Sequence, residues 1–180
     1  MTPRFLFQRA AIALLVLGSA VSAAWAQDRG DVRIATAIGR EVERYPQLSI
    51  FDHVTGTVEG GVVTLTGKVT MPYKKDDIGR KAAAIAGVRE VKNEIEVLPV
   101  SPYDEELRRR IARAIYGNSA FWQYGARANP PIHIIVERGH VTLTGVVHSA
   151  VERMLARTRA TGFGELSVTN ELRTDAEMRS

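Results

Sequence analysis

The sequence predicts an α+β protein made of two tandem α-β-β-α-β units, each a three-stranded mixed sheet with two helices on one face. Three observations predict it. "VEGGVVTLTG" at residues 58–67 returns as "VERGHVTLTG" at 136–145, and eight of the ten positions match at an offset of 78. A fixed-offset match that dense marks a duplication. Both phrases alternate apolar and polar residues around a tight turn, the period of a half-buried hairpin. Both are flanked by stretches with apolar residues at fourfold spacing, the period of an amphipathic helix.

The first 26 residues are expected to be a cleaved signal peptide. Arg4 and Arg9 precede the uncharged "AAIALLVLGSAVSA" (11–24), and "AWA" stands before Gln27, with Ala23 as the alternative cut. That run falls short of the roughly 20 apolar residues that span a bilayer. The mature chain is therefore expected in the periplasm. Without the signal, the formal charge falls from +4 to +2, because Arg4 and Arg9 leave and no acid does. So weak a basic field argues against nucleic acid as a partner. The chain has no cysteine, which excludes disulfides and lipid attachment through a thiol.

The first unit is expected over residues 28–98. "DVRIATAIGREVERYP" places Ile34, Ile38 and Val42 on one helical stripe closed by Pro46. In the hairpin, Val54, Gly56 and Val58 alternate with Thr55, Thr57 and Glu59. After "GG", Val63, Leu65 and Val69 alternate with Thr64, Thr66 and Lys68. Gly67, like Gly145 in the second copy, is expected where a side chain would crowd the helix. Thr70 and Pro72 open a second helix on Ile78, Ala82 and Ile85, and "VREVKNEIEV" supplies the third strand.

After the proline-stiffened connector "LPVSP", the second unit is expected over residues 101–174, with 175–180 as a C-terminal tail. Ser101 can cap a helix that has Pro102 at its first position. Asp104, Glu105 and Glu106 suit the positive end of the dipole, and Leu107, Ile111 and Ile115 form the stripe. "YGNSAFWQYGARANPPIH" then lengthens the first connection by about five residues relative to the first copy. Ser149 and Glu152 have capping-box spacing, and "ELSVTNELR" is the last strand. Asn93 and Asn170 match within the third strands at an offset of 77.

"G-x-V-T-L-x-G-x-V", followed by a helix and "V-x-N-x-[IL]", resembles the BON domain. The whole arrangement, from about residue 30 to 174, is similar to tandem-BON periplasmic proteins induced by osmotic stress. The resemblance implies the fold, an envelope protein, and binding to phospholipid membranes. Its motifs are hairpin and turn residues, which speak to architecture and not to chemistry.

No nucleophile elbow, phosphate loop or zinc-protease signature is present. Three of the four histidines, His133, His140 and His148, gather at the second hairpin, where the first copy has Thr55, Val62 and Thr70. With no histidine at the matching positions of the first copy and no cysteine available, they are not read as a metal site. The expectation is a protein without catalytic residues, cofactor or small-molecule substrate. Its candidate contact residues lie in the second unit; over residues 100–180 all 11 bases are arginine. They are Arg108, Arg109, Arg110, Arg113, Tyr116, Phe121, Trp122, Tyr124 and Arg127, placed to meet phospholipid headgroups or an envelope protein. The competing reading puts Phe121 and Trp122 in the core. Ile135 and Val146, on the outward face of the second sheet, call for a cover: the first unit, a membrane or a partner protein.

Overall fold

The structure is a computed structural model that describes residues 29–127 and 129–179, so the expected signal peptide lies outside the described residues. Unit 1 comprises α1 (residues 29–44), β1 (His53–Glu59), β2 (Val62–Val69), α2 (Pro72–Ala83), β3 (Glu90–Asn93) and β4 (Glu96–Val97). Unit 2 comprises α3 (Pro102–Tyr116), α4 (Trp122–Gly125), β5 (Ile132–Glu137), β6 (His140–Val147), α5 (Ala150–Arg159), β7 (Ser167–Asn170) and β8 (Arg173–Thr174). In each unit the second strand is central. β2 runs antiparallel to β1 and parallel to β3 and β4, and β6 stands in the same relation to β5, β7 and β8.

The third ribbon is two short strands in both units, and the matched asparagine is the reason. Asn93 Nδ2 donates to the Lys75 carbonyl at 2.9 Å, and Asn170 Nδ2 to the Arg153 carbonyl at 2.8 Å. Their Oδ1 atoms accept from the amides of Ile95 and Leu172. Each side chain thus ties the sheet to the second helix and interrupts the ladder. The following Ile95 and Leu172 turn into the core.

Burial follows the helical and strand periods. Ile34, Ile38, Ile78 and Ala82 close over Val63, Leu65 and Val69 in unit 1. Leu107, Ile111, Ile115, Ala156 and Ala160 close over Ile132, Ile134, Val136, Val141 and Leu143 in unit 2. At the start of each first helix a carboxylate reaches across to the hairpin. Asp31 accepts from the amides of Gly60 and Gly61 at 2.6 and 2.9 Å, and Asp104 from those of Arg138 and Gly139, both at 2.8 Å. Both turn residues have positive φ in each copy (58° and 77°, then 51° and 78°), which points four consecutive-turn N–H groups at the two carboxylates.

The corner where the sheet enters the second helix is built differently in the two units. In unit 1, Thr70 does not cap α2. Buried Asp52 accepts from the Thr70 amide and hydroxyl, from the Ser49 amide and hydroxyl, and from Lys74 Nζ at 2.7 Å. Burial alone would raise the Asp52 carboxyl, but Lys74 and these donors outweigh it and hold it below the ordinary value. In unit 2, Ser149 caps α5 by accepting from the Glu152 amide. The Glu152 carboxylate takes the His148 amide and the Tyr124 hydroxyl, both within 2.9 Å, so only half of the expected capping box forms.

Gly67 and Gly145 are demanded by the neighbouring strand, not by a helix. Their φ values are 120° and 115°, and a Cβ there would collide with the carbonyl oxygens of His53 and Pro131. Unit 1 also leans on unit 2. The Ile134 amide, on the outer edge of β5, donates to the Ile50 carbonyl at 2.7 Å. Ile50 and Phe51 pack against the core of unit 2. Asn129 donates to the Glu43 carbonyl and Lys68 pairs with Glu137. The His53 and His133 rings meet at 5.3 Å between centroids. Ile135 is 6 % exposed and lines a cleft that it shares with His53, Gly67 and Lys68 of unit 1.

Gly145→Ala is expected to lower unfolding free energy by about 3 kcal/mol or more in urea titration, because strand backbone cannot yield as a side chain can. A carboxyl depressed in the fold contributes stability that is present above its unfolded value and lost as pH falls through the folded one. Thermal melts should therefore show unit 1 losing stability below about pH 4. Asp52→Asn should be less stable at neutral pH and show a smaller acid-induced loss.

Candidate functional site

The candidate contact residues divide by burial. Helix α3 presents Leu107, Ile111 and Ile115 inward, and Arg108 lies on the same stripe at 4 % exposure. Its guanidinium donates to the Val136 carbonyl at 2.6 Å and reaches Glu105, which fastens α3 to the end of β5. Arg108 is thus a buried tie between α3 and β5. Phe121, fully buried, and Tyr124, 3 % exposed, belong to the core of unit 2. The Tyr124 hydroxyl donates to Glu152 and accepts from the His148 amide. Burial first, then Glu152, pushes its pKa up to about 12. Tyr116 is half-buried and donates to the Ile132 carbonyl; burial raises its phenol too.

Trp122 has the opposite fate: it is 63 % exposed although both its aromatic neighbours, Phe121 and Tyr124, are buried. A single turn of helix, α4, explains this, since Phe121 and Tyr124 are three apart and share its inward side. The core reading thus holds for Phe121 and not for Trp122, whose place inside is taken by Tyr124. Two rings complete a small core, and the third is held outward on a rigid base.

The remaining arginines lie outside. Arg109 pairs with Glu106 at 3.2 Å and reaches Glu105. Arg110 donates to the Phe163 carbonyl and lies over its ring at 5.3 Å, and Arg127 lies over Tyr124 at 5.5 Å. The Arg113 side chain has no hydrogen bond or ion pair among the described residues. Sequence periodicity did not flag the outward side of α5, where Val151 and Met154 are 76 % and 72 % exposed. Arg157 and Arg159 are exposed on the same helix and unpaired among the described residues. Their one legible signal was a stripe on α5 so short that only Ala156 is fully inward.

The histidines do not converge. His140 contacts Ser167 at 2.8 Å, His148 contacts Asp175 at 2.7 Å, and the His53 and His133 rings meet at a tilt at the junction. Among the described residues there is no group of three or more His, Asp or Glu placed to hold a metal. No helix among them is long and apolar enough to cross a membrane. Residues 175–179, beyond the expected second unit, fold back on it: Glu177 accepts from Arg153 at 2.8 Å and from the Thr174 amide.

The fold and surface define a tandem α+β protein: two small single-faced sheets, with an exposed aromatic and unpaired arginines on the second. The BON domain family matches residues 30–99 and 103–176, and the chain belongs to this family. BON domains occur in envelope proteins, are associated with phospholipid membranes and are generally non-catalytic. No curated protein matches the chain. Among solved structures it is similar to CdsD, a structural protein of the type III secretion system of Chlamydia trachomatis. That match has 15 % identity and a TM-score of 0.27, and covers 80 % of this chain and 94 % of that one. A second structure, the C-terminal domain of CdsD, matches at 13 % identity and a TM-score of 0.27, over 76 % and 94 % of the two chains. Likeness at that level carries no argument about this chain.

The burial split predicts opposite outcomes for two neighbouring aromatics. Tyr124→Ala should cost about 3–5 kcal/mol in chemical unfolding, the range for emptying an aromatic core site. Trp122→Ala should change stability by no more than about 0.5 kcal/mol.

Proposed function

We propose that this protein is a non-catalytic periplasmic envelope protein of the osmotic-stress type that docks on phospholipid membranes through its second unit. The observation that carries the reading is Trp122, held outward on α4 with most of its indole in solvent while Phe121 and Tyr124 anchor the turn beneath it. Tryptophan prefers the headgroup level of a bilayer, where the ring is half-wet and its N–H finds a partner. Arg113, with Arg109, Arg110 and Arg127 nearby in sequence, supplies cations for phosphate, and a guanidinium suits that geometry. Exposed Val151 and Met154 on α5, with unpaired Arg157, extend the same combination of apolar and cationic groups. Shallow insertion of an aromatic with flanking arginines is the physics of an interfacial anchor.

A formal charge of +2 after removal of the expected signal makes the attraction local, so it should be screened by salt. The second reading, an envelope protein as partner, draws on the same exposed surface. It draws less on Ile135, which is 6 % exposed at the bottom of a cleft shared with unit 1.

Co-sedimentation with anionic vesicles at low salt tests the proposal. Binding should weaken as salt rises and fall about fivefold in Arg113→Gln, since one cation near an anionic surface contributes about 1 kcal/mol. It should fall further in Trp122→Ala with the melting temperature unchanged. A wild-type chain that stays in the supernatant at low salt would sink the membrane reading.

A further inference from the structure

The junction between the units contains an element that neither the fold nor membrane docking requires. Helix α1, the loop after it and the first residue of β1 come from unit 1, and the entry to β5 comes from unit 2. Between them His53 and His133 meet at 5.3 Å between ring centroids and 52° between planes. Both side chains are partly buried, and His133 Nδ1 is fully buried without a hydrogen-bond partner. Beside the rings lies a cavity of about 390 Å³ bounded by Val42, Leu48, Ile50, Val54 and Pro130, a mostly apolar lining. Two imidazoles with an unpartnered nitrogen in such a place are stable only while neutral, because a charge there would be poorly solvated and would repel its neighbour.

We propose that this junction is an acid-sensitive joint, in which protonation of the His53–His133 pair loosens the seat of Ile50 on the edge of β5. The charged groups around the pair are few. Asp52, locked to Lys74 and to the Ser49 and Thr70 donors, lies on the His133 side. Lys68, the strand partner of His53, is engaged by Glu137 and Glu96. Glu43 borders the apolar cavity, and Arg138, His140 and Glu171 line the opposite cleft with His53. Lys68 engages Glu137 and Glu96, and Lys74 engages Asp52, so these carboxylates are already paired with lysines. Asp52 and the backbone of Ser49 favour a charged His133, but burial outweighs them and its pKa is lowered.

Burial, and then His133, brings His53 from an ordinary 6.5 down to about 4. An imidazole depressed in the docked state supports docking fully above its free value. That support is lost as pH falls from about 6.5 towards 4. His53 alone then weakens docking about 20-fold between pH 7 and pH 5, if its free value is the ordinary one.

The amide of Ile134 reports the joint directly, because its acceptor is the Ile50 carbonyl of the other unit. Hydrogen exchange of the unaltered chain, corrected for intrinsic rates, should show Ile134 protection falling about 20-fold from pH 7 to pH 5, while amides of β6 keep theirs. Protection at Ile134 that stays constant, or that changes only in step with β6, overturns the proposal. In His53→Leu the Ile134 response should flatten; an undiminished response also overturns it. If that variant does not fold, NMR titration of the His53 ring in the parent decides. A midpoint below 6, moving with Ile134 exchange, carries the proposal, and an ordinary midpoint uncoupled from it ends it.

Discussion

Each unit depends on one electrostatic contact: a carboxylate at the start of the first helix that receives both amides of the hairpin turn. A type I′-like turn exposes consecutive N–H groups at the end of a two-stranded ribbon, where the ladder cannot satisfy them. Asp31 and Asp104 satisfy them, and Asp104 does so almost wholly out of solvent. Charge-assisted hydrogen bonds of this kind are about twice as strong as neutral ones, and losing the acceptor would leave two turn amides without their partner, that of Gly139 buried. The contact fixes how the first helix lies across the sheet. Once α3 is fixed, Leu107, Ile111 and Ile115 must face the strands, and Arg109, Arg110 and Arg113 must face away.

Against that shared frame the units have diverged where the frame is least constraining. The sheet-to-helix corner carries an ion pair in one copy, Asp52 with Lys74, and a phenol with a carboxylate in the other, Tyr124 with Glu152. The two solutions are physically equivalent, because each supplies an acceptor to the amide that precedes the second helix. The second requires a tyrosine from outside the basic unit, and the insertion provides it. The same insertion exposes Trp122 as a geometric consequence: a four-residue helix cannot bury two residues on one side and a third between them.

The meeting of the units is asymmetric in the same way. Ile50 and Phe51 extend from unit 1 to cover the outer edge of β5, where an open row of backbone groups would otherwise invite other strands. The second copy has Asn129 at the position corresponding to Phe51. Duplication made two alike domains, and unequal loops decided that one supports the other while the other keeps a free surface.

The sequence by itself determined the duplication, the hairpins with their turns, the helix stripes and the capping at Ser101 and Ser149. The duplication shows as a repeat 78 positions apart, and the others rest on interactions between residues close in the chain, which leave a period or a signature there. The matched Asn93 and Asn170 were visible as landmarks, but not as the cause of a broken third ribbon. Arg108 read like its neighbours Arg109 and Arg110, and only packing against Val136 removed it from the surface. Phe121, Trp122 and Tyr124 read as one aromatic cluster until α4 sorted them. The glycines of β2 and β6 were legible as close approaches, but the approaching group was strand backbone. Tertiary structure alone decided these points, and the pairing of His53 with His133, because burial is set by groups distant in sequence that arrive from outside a residue's own element.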